Sequence, residues 1–219
     1  MITWPVLAVG LRLQGEPVLV VGAGNVATEK IAKLRLCGAH LTVVAPQACD
    51  AVQHLAQDGQ LQWVQRDFQE EDVLGRLLVV SATGREGVDL QVYAACKSRN
   101  ILCNSADVPE ACNVWLMAQA QEGPLTLAVG TSGTAPGLAR RLLREARAGL
   151  PADVAERIVQ YADLRRWTID ELAAGPQHLA ARMAMLRELA VKPWTWLSLA
   201  TEAQREELAG RWHNRDQPR

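Results

Sequence analysis

Two glycines and an alanine at fixed spacing are the residues with the clearest chemical meaning in this sequence. Gly22, Gly24 and Ala27 follow an apolar run at residues 18–21, and a helical pattern begins directly after Gly24. This is the G-x-G-x-x-G/A pattern in the strand–turn–helix context that it requires. The start of such a helix presents unpaired N–H groups and a positive dipole end to an anion. We therefore predict a dinucleotide site here; the alternative is a tight turn that binds no ligand.

A carboxylate, Asp107, has a position that suits proton transfer beside such a cofactor. It lies in the segment S-A-D-V-P, just after the apolar run at residues 101–104. A carboxylate there could accept a proton while a substrate loses hydride. The alternative is an aspartate that caps a turn before Pro109, and the spacing alone favours that simpler interpretation.

Two features around the predicted helix at residues 138–148 could bind anions. The loop before it reads G-T-S-G-T-A-P-G and could form an anion nest, with Thr131 and Ser132 as candidates, although such loops are often only turns. Arginines then recur at i, i+1, i+4 and i+7, and three of them share one helical face that could hold a polycarboxylate. A solvated surface stripe is the interpretation that spacing alone favours. These arginines are Arg140, Arg141, Arg144 and Arg147.

A parallel sheet would bring these residues together. The hydrophobic pattern predicts five strands separated by helices or short connections, and right-handed crossovers then place the ligand crevice at the carboxyl ends of the strands. The predicted strands are residues 18–21, 41–45, 61–65, 77–82 and 101–104. The predicted helices are residues 25–37, 49–57 and 88–98, and residues 69–75 are a short connection. A further strand is predicted at residues 124–129, after this alternation ends. The predicted cofactor contacts at the carboxyl ends of the five strands are Gly22, Gly24, Asn25, Val26, Ala45, Pro46, Gln47 and Thr83.

The end of the second predicted strand does not decide between NAD and NADP. A carboxylate normally lies there and binds the ribose hydroxyls, but this chain reads V-V-A-P-Q, with neither a carboxylate nor an arginine. Gln47 could contact the ribose or could be a neighbour of a helix cap, and both interpretations stay open.

Composition limits the class of partner. The net charge is -1 and the sequence pI is about 6.4, so nothing global favours nucleic acid or an anionic membrane. The five cysteines form no C-x-x-C pair and suit a reducing cytoplasm, and the four histidines show no metal-site spacing. We therefore expect a cytoplasmic protein without a structural metal.

Several longer motifs lie within about residues 3–150: W-P-V-L-A-V, V-L-V-V-G-A-G-N-V-A-T-E-K, G-A-H-L-T-V-V-A-P, C-N-S-A-D-V-P and P-L-T-L-A-V-G-T-S-G-T-A-P-G-L-A-R-R-L-L-R-E. Together they resemble the precorrin-2 dehydrogenase/sirohydrochlorin ferrochelatase family, which also forms the N-terminal module of siroheme synthases. The resemblance implies a homodimer with an NAD-binding Rossmann domain. It also implies oxidation of precorrin-2 to sirohydrochlorin in siroheme or cobalamin synthesis, and in some members insertion of Fe²⁺ or Co²⁺.

The resemblance also assigns roles to residues. The aspartate of the C-N-x-x-D-x-P segment falls on Asp107, which would be the base for the proton lost in oxidation and would take pyrrole protons during chelation. Asn104 belongs to the same segment. Because the substrate is a polycarboxylate tetrapyrrole, Arg140 and Arg144 become carboxylate contacts, although packing between subunits is also possible for that helix.

Three places in the sequence depart from the family pattern. Ala23 replaces a usual glycine, Gly84-Arg85 replaces an acidic pair, and residues 114–117 read V-W-L-M where the family has Phe-x-x-Pro. The last segment borders the tetrapyrrole pocket in the family. Chelatase activity is therefore left open by the sequence.

We predict an α/β protein with a Rossmann-type parallel sheet followed by a dimerisation region and a small helical domain. The predicted boundaries are residues 1–113, 114–150 and 151–219. The predicted function is NAD-dependent precorrin-2 dehydrogenation, with metal insertion open. The alternatives are a non-catalytic NAD-sensing module that regulates a partner, and a tetrapyrrole chelatase or carrier without dehydrogenase activity.

Overall fold

A computed structural model describes residues 6–171 and 179–191, together with residues 203, 206 and 207. Among these, one unit contains residues 6–117 and 130–136, and a second contains residues 118–129 and those from 137 onward. The predicted domain boundaries at residues 113 and 150 remain predictions, and the predicted helical domain lies partly outside the described residues. No helix within the described ranges is long and apolar enough to cross a membrane.

The first unit is built on a five-stranded parallel sheet. Its strand order is β3-β2-β1-β4-β5, so the direction of strand addition reverses between β1 and β4. In the register, Val21 pairs with Val44 on one side and with Ser81 on the other, so the three central strands end at the same level. Such a reversal opens a crevice at the carboxyl ends of the strands. The strands are β1 (Pro17–Val21), β2 (His40–Val44), β3 (Gln62–Val64), β4 (Leu78–Ser81) and β5 (Leu102–Ser105).

Helices cover both faces of this sheet. Helix α1 (Asn25–Leu36) and helix α2 (Asp50–Gln57) pack on one face with the side chains of Val18 and Val20, whereas helix α3 (Glu86–Lys97) packs on the other face with Leu19 and Val21. Alternate residues of β1 therefore belong to two different cores. This explains why its sequence is continuously apolar, since strands of a parallel sheet are buried on both faces.

The predicted Rossmann-type architecture is confirmed, with two local differences. The strand predicted at residues 61–65 shortens to Gln62–Val64, an edge strand that pairs only with β2. The predicted short connection at residues 69–75 contains a 3₁₀ turn at Glu70–Val73. Asp72 stabilises this turn by accepting the backbone N–H of Gln69 at 2.9 Å and a bidentate contact from Arg66.

The second unit begins with an antiparallel hairpin that the sequence analysis only half predicted. Strand β7 (Leu125–Val129) was expected, but its partner β6 (Ala118–Glu122) was not. Strand β6 reads A-Q-A-Q-E, an alternation of small and polar residues with no apolar run. Helices α4 (Pro136–Ala148), α5 (Val154–Glu171) and α6 (Leu179–Ala190) follow, as the helical patterns indicate.

Candidate functional site

A cavity of about 390 Å³ lies at the carboxyl edge of the sheet, within the first unit. Its walls are the segments that follow β1, β2 and β4, with Asp107 from the segment after β5. Every predicted cofactor contact lines it, and the volume falls in the range of small-ligand and cofactor sites. These residues are Gly22, Gly24, Asn25, Val26, Ala45, Pro46, Gln47 and Thr83.

Gly22 is required by the close approach of β1 to the end of β4. Its φ is +103°, and a Cβ placed on it would lie 2.3 Å from the backbone oxygen of Ala82. Its N–H donates to the carbonyl of Val44 at 2.9 Å. Gly22 therefore joins the ends of the three central strands, and its main requirement is structural.

No contact among the described residues requires residue 24 to be glycine, in contrast to residue 22. A Cβ placed on it would meet no protein atom within 4 Å, so it would project into open space. Gly24 is the N-cap of α1, and no side chain caps this helix. The first turn of the helix also contains no acidic residue. The turn thus leaves backbone N–H groups and space available for an anionic ligand, which fits the pyrophosphate of a dinucleotide.

The segment after β2 is tied to the glycine turn through its backbone. The N–H of Cys49 donates to the carbonyl of Ala23 at 3.0 Å, and the Cys49 sulfur lies 3.4 Å from Oγ1 of Thr28 on α1. The hydrogen bond with Thr28 is the largest cause of a lowered pKa of the Cys49 thiol. Ala45 is also fixed, because its carbonyl accepts the indole N–H of Trp63 at 3.0 Å. Gln47 remains exposed on the cavity wall.

The turn after β4 is held by a buried carboxylate that the sequence analysis did not single out. Asp89 on α3 is 1% exposed, and its Oδ1 accepts hydrogen bonds from the hydroxyls of Ser81 at 2.5 Å and Thr83 at 2.8 Å. Oγ1 of Thr83 also accepts the backbone N–H of Arg85 at 3.0 Å. Within the described residues, Oδ2 of Asp89 has no hydrogen-bond partner. The predicted cofactor residue Thr83 is therefore also a structural link between β4 and α3.

Three cavity residues that lie outside the predicted strands and outside their end segments at residues 22–26, 45–47 and 82–84 were missed by the sequence analysis. Arg85 and Val88 belong to the start of α3, and Phe68 comes from the crossover between β3 and β4. The rule that ligands bind beyond strand ends would have indicated Arg85, which follows the predicted end at residues 82–84 by one position. Phe68 carries no local signal of this kind, because the crossover returns to the cavity only in three dimensions.

Asp107 lies on the cavity wall and is exposed. The segment that carries it is anchored by Ser105 and Cys112: the N–H of Ser105 lies 3.1 Å from the Cys112 sulfur, and the N–H of Val108 donates to Oγ of Ser105 at 3.3 Å. Burial is the largest cause of a raised pKa of the Cys112 thiol, which therefore stays neutral in this anchor. The result is a solvent-accessible carboxylate on a well-supported loop.

Asn104 lies elsewhere. It is buried, it does not line the cavity, and its Nδ2 donates to the carbonyl of Val114 at 3.1 Å. This bond holds the segment after the Asp107 loop against β5. Its predicted contact with substrate remains a prediction.

The loop at residues 130–136 packs on the segment that departs from the family pattern. A Cβ on Gly130 would lie 3.2 Å from the Met117 sulfur, and one on Gly133 would lie 3.7 Å from Nε1 of Trp115. Oγ1 of Thr131 accepts the N–H of Ala135 at 3.2 Å, and Ser132 has a φ of +50°. The predicted roles of Thr131 and Ser132 in binding substrate stay predictions.

Arg140 and Arg144 are exposed on α4 in the second unit. Two neighbouring arginines have partners: Arg141 pairs with Glu145, and Arg147 with Glu122. In the described part of the chain, no ion pair involves Arg140 or Arg144. Their predicted role as contacts for substrate carboxylates remains a prediction.

Comparisons with known proteins agree with this geometry. A family model described as "Putative NAD(P)-binding" matches residues 9–118, the region that contains the sheet and the glycine turn. A solved structure described as "SirC, precorrin-2 dehydrogenase" is 26% identical with a TM-score of 0.69, and the alignment covers 95% of this chain and 100% of that one.

Two curated relatives carry the name siroheme synthase. "Siroheme synthase 3" of Aeromonas hydrophila is 37% identical over 145 residues, which are 66% of this chain and 31% of that protein. "Siroheme synthase" of Pseudomonas aeruginosa (strain LESB58) is 38% identical over 140 residues, which are 64% of this chain and 30% of that protein. The aligned part thus spans about a third of the length of the curated relatives that the chain matches.

Proposed function

This chain belongs to the family of NAD(P)-binding proteins whose model matches residues 9–118, and we propose that it is a precorrin-2 dehydrogenase that oxidises precorrin-2 to sirohydrochlorin with NAD⁺. The similar solved structure bears the name of this activity, and the curated relatives bear the name siroheme synthase. The proposed reaction removes two hydrogen atoms from the substrate, one as hydride and one as a proton. When bound, NAD⁺ supplies the acceptor for the hydride.

The observation that carries the proposal is that Asp107 lines the same cavity as Gly22 and Gly24. In this proposal the Asp107 carboxylate accepts the proton that the tetrapyrrole carbon loses. Because Asp107 is exposed, it can return that proton to water after each turnover. The backbone N–H groups at the start of α1 bind the pyrophosphate and fix the cofactor at the sheet edge.

For the substrate, we propose that Arg140 and Arg144 bind its carboxylates, with Thr131 and Ser132 near the ring, and that Asn104 contributes by holding the segment after the Asp107 loop through its bond to Val114. Support comes from the absence of ion pairs at these two arginines within the described residues, and from the polycarboxylate nature of the tetrapyrrole. We also propose a homodimer. The two-stranded sheet of β6 and β7 leaves an unpaired edge on each strand among the described elements, and such edges favour pairing with another chain.

Metal insertion is a second candidate activity of the same site. Fe²⁺ or Co²⁺ would be a substrate, and the Asp107 carboxylate would take protons from the pyrrole nitrogens as the metal enters. The exposed position of Asp107 favours this candidate, since a carboxylate on an open wall can approach a bound ring. Trp115 and Met117, which belong to the segment that replaces the Phe-x-x-Pro pattern, lie against the loop at residues 130–136 and do not line the cavity that contains Asp107.

The first experiment is anaerobic incubation of the protein with precorrin-2, with and without NAD⁺, followed by absorbance spectroscopy. We expect sirohydrochlorin to appear only with NAD⁺. Asp107→Asn should lower kcat by about 100-fold or more while the Kd for NAD⁺ stays within about twofold, because a general base contributes about two to four orders of magnitude. Glu110→Gln is the matched control, since Glu110 is exposed, lies three residues away and does not line the cavity.

Two outcomes would contradict this proposal. Unchanged turnover of the Asp107→Asn variant would remove the carboxylate from the reaction. Binding of NAD⁺ without any conversion of precorrin-2 would instead favour the NAD-sensing module. Adding Fe²⁺ or Co²⁺ to the sirohydrochlorin formed tests the second activity, which requires a metal-dependent change in the spectrum that is faster than without protein.

A further inference from the structure

Only two of the described residues that line the cavity are charged, Arg85 and Asp107. Asp107 has a place in the proposed reaction, but Arg85 has none. A cation on the wall of a dinucleotide cavity is a natural partner for a phosphate group. The position of Arg85 therefore bears on which dinucleotide the cavity accepts.

The β2 end of the cavity lacks the group that usually excludes NADP. In NAD-selective Rossmann sites, a carboxylate after the second strand binds the ribose 2′-hydroxyl, and its charge disfavours a 2′-phosphate. Here that wall consists of Ala45, Pro46 and Gln47. The wall contains no carboxylate, so a 2′-phosphate would meet no repulsion from it.

The Arg85 side chain reaches toward this end of the sheet. Its Nη2 lies 3.4 Å from Oδ1 of Asp67, which belongs to the segment after β3, the strand next to β2. The backbone of Arg85 is fixed by the bond from its N–H to Thr83, but both members of the ion pair are exposed, at 58% and 74%. Exposed ion pairs contribute little free energy, so the guanidinium can exchange partners at low cost.

We infer that the cavity accepts NADP as well as NAD, and that Arg85 is the residue that makes NADP acceptable. In this inference the guanidinium leaves Asp67 and binds the 2′-phosphate through paired N–H donors. The inference rests on the proposed function, because it concerns the cofactor of that same cavity.

The test is equilibrium binding of NAD⁺ and of NADP⁺ by calorimetry, which requires no turnover. For the unaltered chain we expect the two Kd values to agree within about tenfold. Arg85→Ala should raise the Kd for NADP⁺ about fivefold more than the Kd for NAD⁺, since one exposed charged contact is worth about 1 kcal/mol. Arg85→Lys should retain part of the affinity for NADP⁺. Arg99→Ala is the control for loss of a positive charge, because Arg99 lies beyond the opposite end of α3 and outside the cavity lining.

Asp67→Asn gives a change of opposite sign. Removing the competing carboxylate should lower the Kd for NADP⁺ by about twofold to threefold and leave that for NAD⁺ unchanged. The unaltered chain should bind NADP⁺ more tightly than the Arg85→Ala variant does. This difference in Kd should decrease as ionic strength rises, because salt screens exposed charges.

Several results would overturn the inference. Binding of NAD⁺ without binding of NADP⁺ at millimolar concentration would reject it while the proposed function stands. Equal weakening of both dinucleotides by Arg85→Ala would assign Arg85 to a group that they share. If neither dinucleotide bound, the proposed function would fail together with this inference.

Discussion

The turn after β1 and the turn after β4 line the same cavity, yet they are built by opposite means. Both connect a buried parallel strand to a helix, and the two strands are neighbours in the sheet. The first turn is closed by backbone contacts of Gly22, and no side chain caps its helix. The second is closed by the buried carboxylate of Asp89, which accepts bonds from Ser81 and Thr83.

This difference distinguishes a binding turn from a supporting one. A helix start without a side-chain cap keeps its N–H donors and its dipole available for a ligand. In the second turn, side-chain hydrogen bonds fix the backbone, which forms part of the cavity wall. The charged group that this turn presents to the cavity is the side chain of Arg85. The contrast therefore favours our proposal that the first turn binds the pyrophosphate, while the second turn supports the cavity wall.

The largest effect is expected from Gly22→Ala, which should distort the first turn and lower the stability of the fold. The added Cβ would meet the Ala82 carbonyl at 2.3 Å, and the φ of +103° is strained for alanine. We expect a loss of about 3–4 kcal/mol in the free energy of unfolding, measured by urea denaturation. Gly24→Ala is the matched control and should cost less than about 1 kcal/mol. Equal losses at the two glycines would contradict the structural role of Gly22.

Gly24→Asp should separate binding from folding. Aspartate is a favourable N-cap, so stability should be retained, whereas its side chain and charge would oppose the pyrophosphate. We expect the Kd for NAD⁺ to rise by about 100-fold or more, equivalent to about 2.8 kcal/mol. Gly84→Asp adds the same charge to the same cavity, but at the second turn. It should raise the Kd for NAD⁺ by less than about tenfold. A reversed order of these two effects would show that the pyrophosphate lies at the second turn.

A smaller effect is expected when the support of the second turn is removed. Asp89→Ala should lower the free energy of unfolding by about 2 kcal/mol, because the hydroxyls of Ser81 and Thr83 lose their acceptor. Asp89→Asn keeps an acceptor oxygen and removes a buried charge, so it should restore at least about half of that loss. Identical stability of the two variants, compared by thermal unfolding, would refute the hydrogen-bonding role of Asp89.

Most of the first unit was predictable because its signals are local. The continuous apolar run of β1 predicts a strand buried on both faces, and the glycine spacing predicts a tight turn between that strand and the following helix. The structure adds that Gly22 is required by the approach of Ala82. By contrast, β6 escaped prediction because its alternating alanines and glutamines pack against a neighbouring strand without forming an apolar segment.

The candidate site was predictable to the extent that it follows from strand ends. Every predicted cofactor contact lies on one cavity wall or another, as the parallel-sheet rule requires. Asn104 shows the limit of that rule: it lies in the expected segment, but its side chain is buried and bonded to Val114. A position near the end of a strand does not by itself show whether the side chain faces the cavity or is buried against a later segment of the chain.

For the first unit, the sequence by itself determined the succession of strands and helices along the chain and the glycine turn between β1 and α1, because periodicity and backbone requirements act over a few neighbouring residues. Only the tertiary structure decided that Asp89 would be buried beside Thr83, and that Arg85 would form an ion pair with Asp67. Those contacts depend on the strand order β3-β2-β1-β4-β5, which brings together segments distant in the chain. A long-range contact of this kind arises from how the sheet is assembled, and no local pattern encodes it.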